Sequence, residues 1–346
     1  MSQDQLAILD KFRDISSQKW IPLQASLELT NRCNERCGHC YIPEFRDDPR
    51  RILTQENWFH ILEELRGAGT LFLILMGGEA MLNPHFWAIL EKSSELHFHT
   101  SMISNGLKIQ KIETAQKLKD LGLKNLTISL YSLTPEIHDK MTKVKGSHQK
   151  TMTAIDLARA VGLEVTLNAL LTKDNIDGIF ELEDWALEKN LSLKTDAMIT
   201  PKLDGGLEPT ELRASYEQLK NYYEVKIKKW PNARPKSSGE SFSSYTCNAG
   251  KGKCAVTAYG ELLPCIEVRE PLGNLLEKPF TDLWFGEKVQ KWRHLKWKDI
   301  EGVDEKTISF CDHCPGMAKN ETGSPNKTTC FSKNLAKIKS DLQAGS

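Results

Sequence analysis

Ala25-Ser-Leu-Glu-Leu-Thr30 is followed almost at once by Cys33-Asn-Glu-Arg-Cys37-Gly-His-Cys40. The first stretch reads as a strand and the second as the loop that leaves it. Working outward, the same alternation recurs. Trp58, Ile61, Leu62 and Leu65 have helical spacing behind a Thr54 cap. Thr70 to Met76 is a continuous apolar run of the kind buried in a parallel sheet. Asn83-Pro84 predicts a helix start with Pro at the first helical position.

Further strands are predicted at Phe98–Ser104, Leu126–Leu130, Val165–Leu171 and Leu193–Ile199. Helices are expected at Lys111–Leu121, near Pro135, at Gln149–Val161 and at Ile179–Lys189. Leu212, Tyr216, Leu219 and Tyr223 mark one more. Six strand–helix units in about 200 residues imply an α/β fold, a parallel sheet with outer helices. An open doubly wound sheet and a partial barrel both fit, and in either one functional groups belong at the strand carboxyl ends. The expected organisation is a lead-in over 1–24, a β/α domain over 25–229, a linker over 230–245 and a small cysteine-rich domain over 246–346. That last domain carries a hairpin signal at Tyr259-Gly260 and a predicted helix from Phe280 to Trp297.

The chain has 346 residues, with 46 Lys+Arg against 46 Asp+Glu, and so no net charge to draw it to nucleic acid or an anionic membrane. Trp284, Trp292 and Trp297 are better explained as packing residues than as a base-stacking platform. The longest apolar run, Leu71–Met76, is too short to cross a bilayer, and the N-terminus lacks a secretion signal. A cytoplasmic protein is expected. Its nine cysteines are odd in number and clustered: 33, 37 and 40, then 247, 254, 265, 311, 314 and 330. In a reducing compartment such grouping points to metal ligation at two places.

Three thiolates in one loop can hold three irons of a 4Fe–4S cube and leave the fourth open. A structural zinc site completed by His39 or a distant cysteine is the alternative. A CxxxCxxC loop after the first strand, an aromatic residue before its third cysteine and the β/α repeat behind it resemble the radical S-adenosylmethionine (SAM) superfamily. The resemblance implies a partial (β/α)6 TIM-like barrel. It also implies a 4Fe–4S cluster on Cys33, Cys37 and Cys40 whose open iron chelates SAM. Reductive cleavage there would release a 5′-deoxyadenosyl radical that abstracts a substrate hydrogen.

Other positions match in family order. Met76-Gly77-Gly78-Glu79 corresponds to the turn whose carboxylate accepts from the SAM ammonium, with Ala80 where the family usually has Pro. Ser104 and Asn105 fall at the ribose contact, Ser129 at another SAM position and Lys150 where a basic residue could pair with the SAM carboxylate. Asn168 could contact the adenosine, and His39 could pack beside the adenine or the cluster.

The C-terminal region resembles the SPASM and shorter twitch extensions. Cys247, Gly260-Glu-Leu-Leu-Pro-Cys265, Gly273-Asn274-Leu275, Leu283-Trp284 and Cys311-Asp-His-Cys314 carry this likeness. It implies at least one auxiliary 4Fe–4S cluster on Cys247, Cys265, Cys311 and Cys314, with Cys254 and Cys330 as extra ligands or free thiols. A zinc ribbon on the same four cysteines is the alternative. No cysteine lies between Lys298 and Phe310, where a full SPASM extension has a further pair.

Within the superfamily the chain most resembles maturases that cross-link or epimerise ribosomally made peptides. The runner-up is a small-molecule dehydrogenase or rearrangement enzyme acting on an aminocyclitol or a tetrapyrrole. A non-enzymatic iron–sulfur or zinc protein is a third class. The resemblance also implies an external electron donor such as flavodoxin or ferredoxin. Because 24 residues precede the first strand, too few for a winged-helix domain, a peptide substrate is expected either to use a separate leader-binding protein or to dock on the barrel and cysteine-rich domain directly.

Overall fold

A computed structural model describes residues 11–344 apart from 13, 17 and 50. Half of the predicted lead-in over 1–24 therefore falls outside the described residues. The barrel begins with β1 (Gln24–Glu28), α1 (Gln55–Gly67), β2 (Phe72–Met76), α2 (Phe86–Glu95) and β3 (His99–Ser104). It continues through α3 (Ile112–Asp120), β4 (Asn125–Ser129), α4 (Pro135–Thr142), α5 (Ser147–Ala160), β5 (Glu164–Leu170), α6 (Ile179–Glu188), β6 (Ser192–Asp196) and α7 (Tyr216–Lys229). All six strands run parallel, in an open sheet of order β6-β5-β4-β3-β2-β1.

The alternation of residues along each strand separates two faces. Ala25, Leu27, Leu73, Leu75, Leu126, Ile128, Leu167 and Ala169 share one core cluster with Trp58, Ile61, Leu62 and Leu65 of α1. Removing such side chains from water is worth roughly 1.5–3 kcal/mol each. Ser26, Glu28, Thr127, Ser129, Thr166 and Asn168 occupy the alternate positions and turn to the other face. Helix α1 starts where expected, with Thr54 and Asn57 forming a reciprocal capping box.

The sheet does not stop at β6 and β1. Strand β7 (Lys253–Val256) lies parallel to β1, and β8 (Glu261–Leu263) and β9 (Gly273–Asn274) follow antiparallel, giving nine strands. The predicted hairpin is present, with Gly260 at φ +80° in its turn, but it extends the barrel sheet. Two predicted helices are corrected. Helix α2 starts at Phe86, because Asn83 directs its amide to the Leu29 carbonyl and accepts from His85 N, which keeps Pro84 in a turn. The Phe280–Trp297 helix is broken into α8 (Phe280–Trp284), a 3-10 turn at Glu287–Val289 and α9 (Gln290–Arg293), with extended backbone at Gly286 between them. The chain ends in α10 (Glu305–Ile308), α11 (Pro315–Thr322) and α12 (Cys330–Ala344). No helix among the described residues is long and apolar enough to cross a membrane.

Candidate active site

The loop after β1 is held by backbone bonds to the C-terminal end of α4: Arg36 N donates to Thr142 O at 2.9 Å and Gly38 N to Met141 O at 3.1 Å. The Cys33, Cys37 and Cys40 thiols interact electrostatically with one another. Burial raises all three above the ordinary thiol value, Cys33 to about 12. They are thus protonated until an electrophile displaces the protons. Glu35, inside the same loop, is pushed up to about 7 by burial, and the Cys37 thiol donates to its carboxylate at 3.4 Å.

The Gly77-Gly78-Glu79 turn packs directly on this loop. Gly78 N donates to Thr30 O at 2.7 Å and Glu79 N to Arg32 O at 2.8 Å. A Cβ at Gly77 (φ +131°) would collide with the Thr30 carbonyl, and one at Gly78 with the Arg32 carbonyl. The two glycines therefore permit the backbone approach that seats the thiol loop. Glu79 is 1% exposed, and its carboxylate accepts from Ser104 Oγ at 3.0 Å, Asn105 N at 3.0 Å and Met81 N at 3.3 Å.

Asn105 reaches back to the thiol loop. Its Nδ2 donates to Asn34 Oδ1 at 2.7 Å and lies 3.9 Å from Cys33 Sγ. Thr151 Oγ1 donates to Asn105 O at 2.9 Å. Lys150, one residue earlier, is exposed, so on α5 it is the threonine that meets this turn. Ser129 and Asn168 are register partners at the ends of β4 and β5, both half-buried. His39 is half-buried, and its removal from water lowers it to about 4, so its ring is neutral. Its Nε2 meets Tyr131 Oη at 3.1 Å, while Nδ1 has no partner among the described residues. Tyr131 is in turn stacked on His138, with centroids 5.4 Å apart.

In the C-terminal region, Cys247, Cys265 and Cys314 interact electrostatically with each other and with the Lys253 ammonium. A close approach makes this possible: a Cβ at Gly316 would strike the Glu267 carbonyl, so Cys314-Pro315-Gly316 packs on Cys265-Ile266-Glu267. Cys311 points elsewhere. It packs with the cluster of Leu295, Trp297, Ile300 and Ile308, and its electrostatic neighbours are Asp312, Lys339 and Glu240. Cys254 is 2% exposed in the main core, in register with Ala25, and it senses Cys265. Cys330 is exposed at the start of α12.

A charged network that sequence reasoning missed lies between the two thiol groups. Glu28, 2% exposed at the end of β1, takes a two-pronged bond from Arg269 at 3.1 and 3.0 Å and one from Tyr41 Oη at 3.3 Å. Tyr41 follows Cys40 directly, and Arg269 interacts with Glu267 beside Cys314. Leu203 N, from the loop after β6, donates to Tyr41 O at 2.8 Å. Glu28 and Arg269 also line a cavity of about 640 Å³ at the strand ends, with Asp47, Arg51, Leu203 and Tyr259 on its walls.

Among the described residues, no three His, Cys, Asp or Glu side chains already close around a single ion. A cube spreads its thiolates over separate irons, and three neighbouring half-buried thiols in one loop suit that demand.

Residues 27–193 match the radical SAM superfamily, and residues 247–315 match SPASM, an iron–sulfur cluster-binding domain. The chain belongs to the radical SAM superfamily and is an enzyme, one that works with 4Fe–4S clusters and S-adenosylmethionine. It is 24% identical over 331 residues to the AdoMet-dependent heme synthase of Methanosarcina barkeri, covering 87% of this chain and 93% of that protein. It is 25% identical over 334 residues to the PqqA peptide cyclase of Rhizobium meliloti, covering 90% and 87%. Its fold matches Streptococcus suis SuiB bound to precursor peptide SuiA with a TM-score of 0.69 at 19% identity, over 96% of this chain and 82% of that one.

Proposed function

We propose that this chain abstracts a hydrogen atom from a ribosomally made peptide and so cross-links or epimerises it. The observation that carries this reading is the Glu28–Arg269–Tyr41 network beside a cavity, set between two thiol groups at the strand carboxyl ends. A substrate seated there would lie within reach of both groups. When bound at Cys33, Cys37 and Cys40, the cluster and SAM supply the hydrogen-abstracting radical.

The chain's own residues have positioning work to do. Asn105 and the glycine turn hold the thiol loop. Ser104, Asn105, Ser129 and Asn168 border the SAM side, with the neutral His39 ring as a wall. Lys150 is too exposed to contribute without moving inward. Cys247, Cys265 and Cys314 would hold an auxiliary cluster. Cys254 is the nearest further thiol on electrostatic grounds, while Cys311 and Cys330 would require rearrangement.

Support for a peptide comes from relatives: one is named a peptide cyclase, and SuiB has been solved with its precursor peptide. A flavodoxin- or ferredoxin-type donor would supply the electron, and a separate protein would bind the leader.

The test is co-expression with peptides encoded next to the gene, read by mass spectrometry in light and heavy water. Loss of a few hydrogens, or deuterium uptake without other change, supports the reading. Turnover of a tetrapyrrole or sugar, with every encoded peptide unchanged, overturns it.

A further inference from the structure

The ground around Cys247, Cys265 and Cys314 is rich in cations that form no salt bridge among the described residues. Lys253 on β7 faces all three thiols, and Cys265 most strongly. Lys251 donates to Cys247 O at 3.3 Å and has Arg293 and Lys296 as cationic neighbours. Arg293 is fully buried, donates to Gly250 O and Trp284 O and lies among Trp20, Trp284 and Phe285. None of Lys251, Lys253, Arg293 or Lys296 forms a salt bridge with a carboxylate among the described residues. Glu267 interacts with Lys253, but more strongly with Arg269. Bringing positive charge out of water without a counter-charge is costly. The missing counter-charge fits an anionic group held by the thiols.

We propose that Lys253 is a tuning residue for that group: its ammonium stabilises the reduced, more negative state of an auxiliary iron–sulfur cluster and so favours electron acceptance there. This rests on the reading of Cys247, Cys265 and Cys314 as cluster ligands. The side chain comes from β7, a strand of the barrel sheet, so its position is set by ladder bonds to β1. A cation near a cluster raises its reduction potential, because each added electron increases the attraction.

The test uses the full chain, purified anaerobically, with iron and zinc analysis followed by potentiometric titration monitored by electron paramagnetic resonance. Lys253→Met keeps length and removes charge, whereas Lys253→Arg keeps charge. The Met variant should shift the auxiliary midpoint downwards, changing the reduced-to-oxidised ratio at fixed potential about tenfold, which is 59 mV for one electron. The Arg variant should stay near wild type, and the radical cluster should be unmoved in both. A Met variant with full iron and an unchanged auxiliary midpoint overturns the proposal. Loss of auxiliary iron in Met but not in Arg supports it, and loss in both overturns it. Zinc in the wild-type site would overturn the cluster reading itself, and the redox role with it.

Discussion

Replacing Glu79 by Ala should weaken the fold as well as cofactor binding. Its carboxylate is 1% exposed and takes two 3.0 Å bonds, from Ser104 Oγ and Asn105 N, with Met81 N farther away at 3.3 Å. A hydrogen bond to a charged group contributes roughly 1.5–3 kcal/mol net. The two short bonds then amount to about 3–6 kcal/mol. Burial of the carboxylate works against this, and it raises the group above its ordinary value. The low end, about 3 kcal/mol, is therefore expected, roughly a hundredfold in the unfolding constant. Glu79→Gln should lose about 1 kcal/mol, since the amide keeps one acceptor for Asn105 N and the Ser104 hydroxyl can turn to accept. Urea unfolding followed by circular dichroism reads stability, and equilibrium dialysis reads SAM affinity. If Glu79→Ala binds SAM a hundredfold more weakly with its urea midpoint unmoved, the carboxylate serves the ligand alone and the structural account is wrong.

Two further perturbations test other contacts. Arg213→Ala removes a two-pronged bond to Glu321 at 3.0 and 2.6 Å and a stack on Phe331; with side chains 11% and 19% exposed, the loss should be about 2 kcal/mol. Hydrogen exchange should then rise across 315–344, and unchanged protection there would show that the Arg213–Glu321 pair does not hold this segment. His138, fully buried, is lowered from 6.5 to about 4 by burial. Between those values the unfolded chain binds a proton that the folded chain refuses. Stability is thus present above pH 6.5 and lost as pH falls towards 4, by about 3 kcal/mol over the whole span. His138→Asn should keep an acceptor for Tyr131 N and flatten the difference between urea midpoints at pH 5 and 7; an unchanged difference would show that other groups carry it.

The strand–helix alternation was legible because parallel strands such as β2 stay apolar, with Leu73 and Leu75 buried, while α1 keeps Trp58, Ile61, Leu62 and Leu65 on one face. The Cys33–Cys40 loop was legible from spacing alone. Spacing could not say which way a thiol faces, so Cys311 and Cys314 looked equivalent although they enter different surroundings. Nor could it prefer Thr151 to Lys150, because a one-residue shift on a helix is decided by packing. The break at Gly286 was masked by well-spaced tryptophans on either side. Glu28 and Arg269 are 241 residues apart, and no local pattern announces such a pair.

The two thiol groups have a common ruler. Strand β1 runs into the Cys33–Cys40 loop, and β7, hydrogen-bonded beside it, runs through the hairpin into Cys265. Parallel neighbours lie about 4.8 Å apart and resist sliding, because a slip would turn buried side chains to the wrong face. The Glu28–Arg269 pair closes the same gap on the inner face: losing either partner would strand a buried charge. Electron exchange between two centres depends on a constant separation, which residues 230–245 alone would not set. Here the sheet provides it, so the C-terminal region does not sit as an appended module: its first strand is part of the barrel wall.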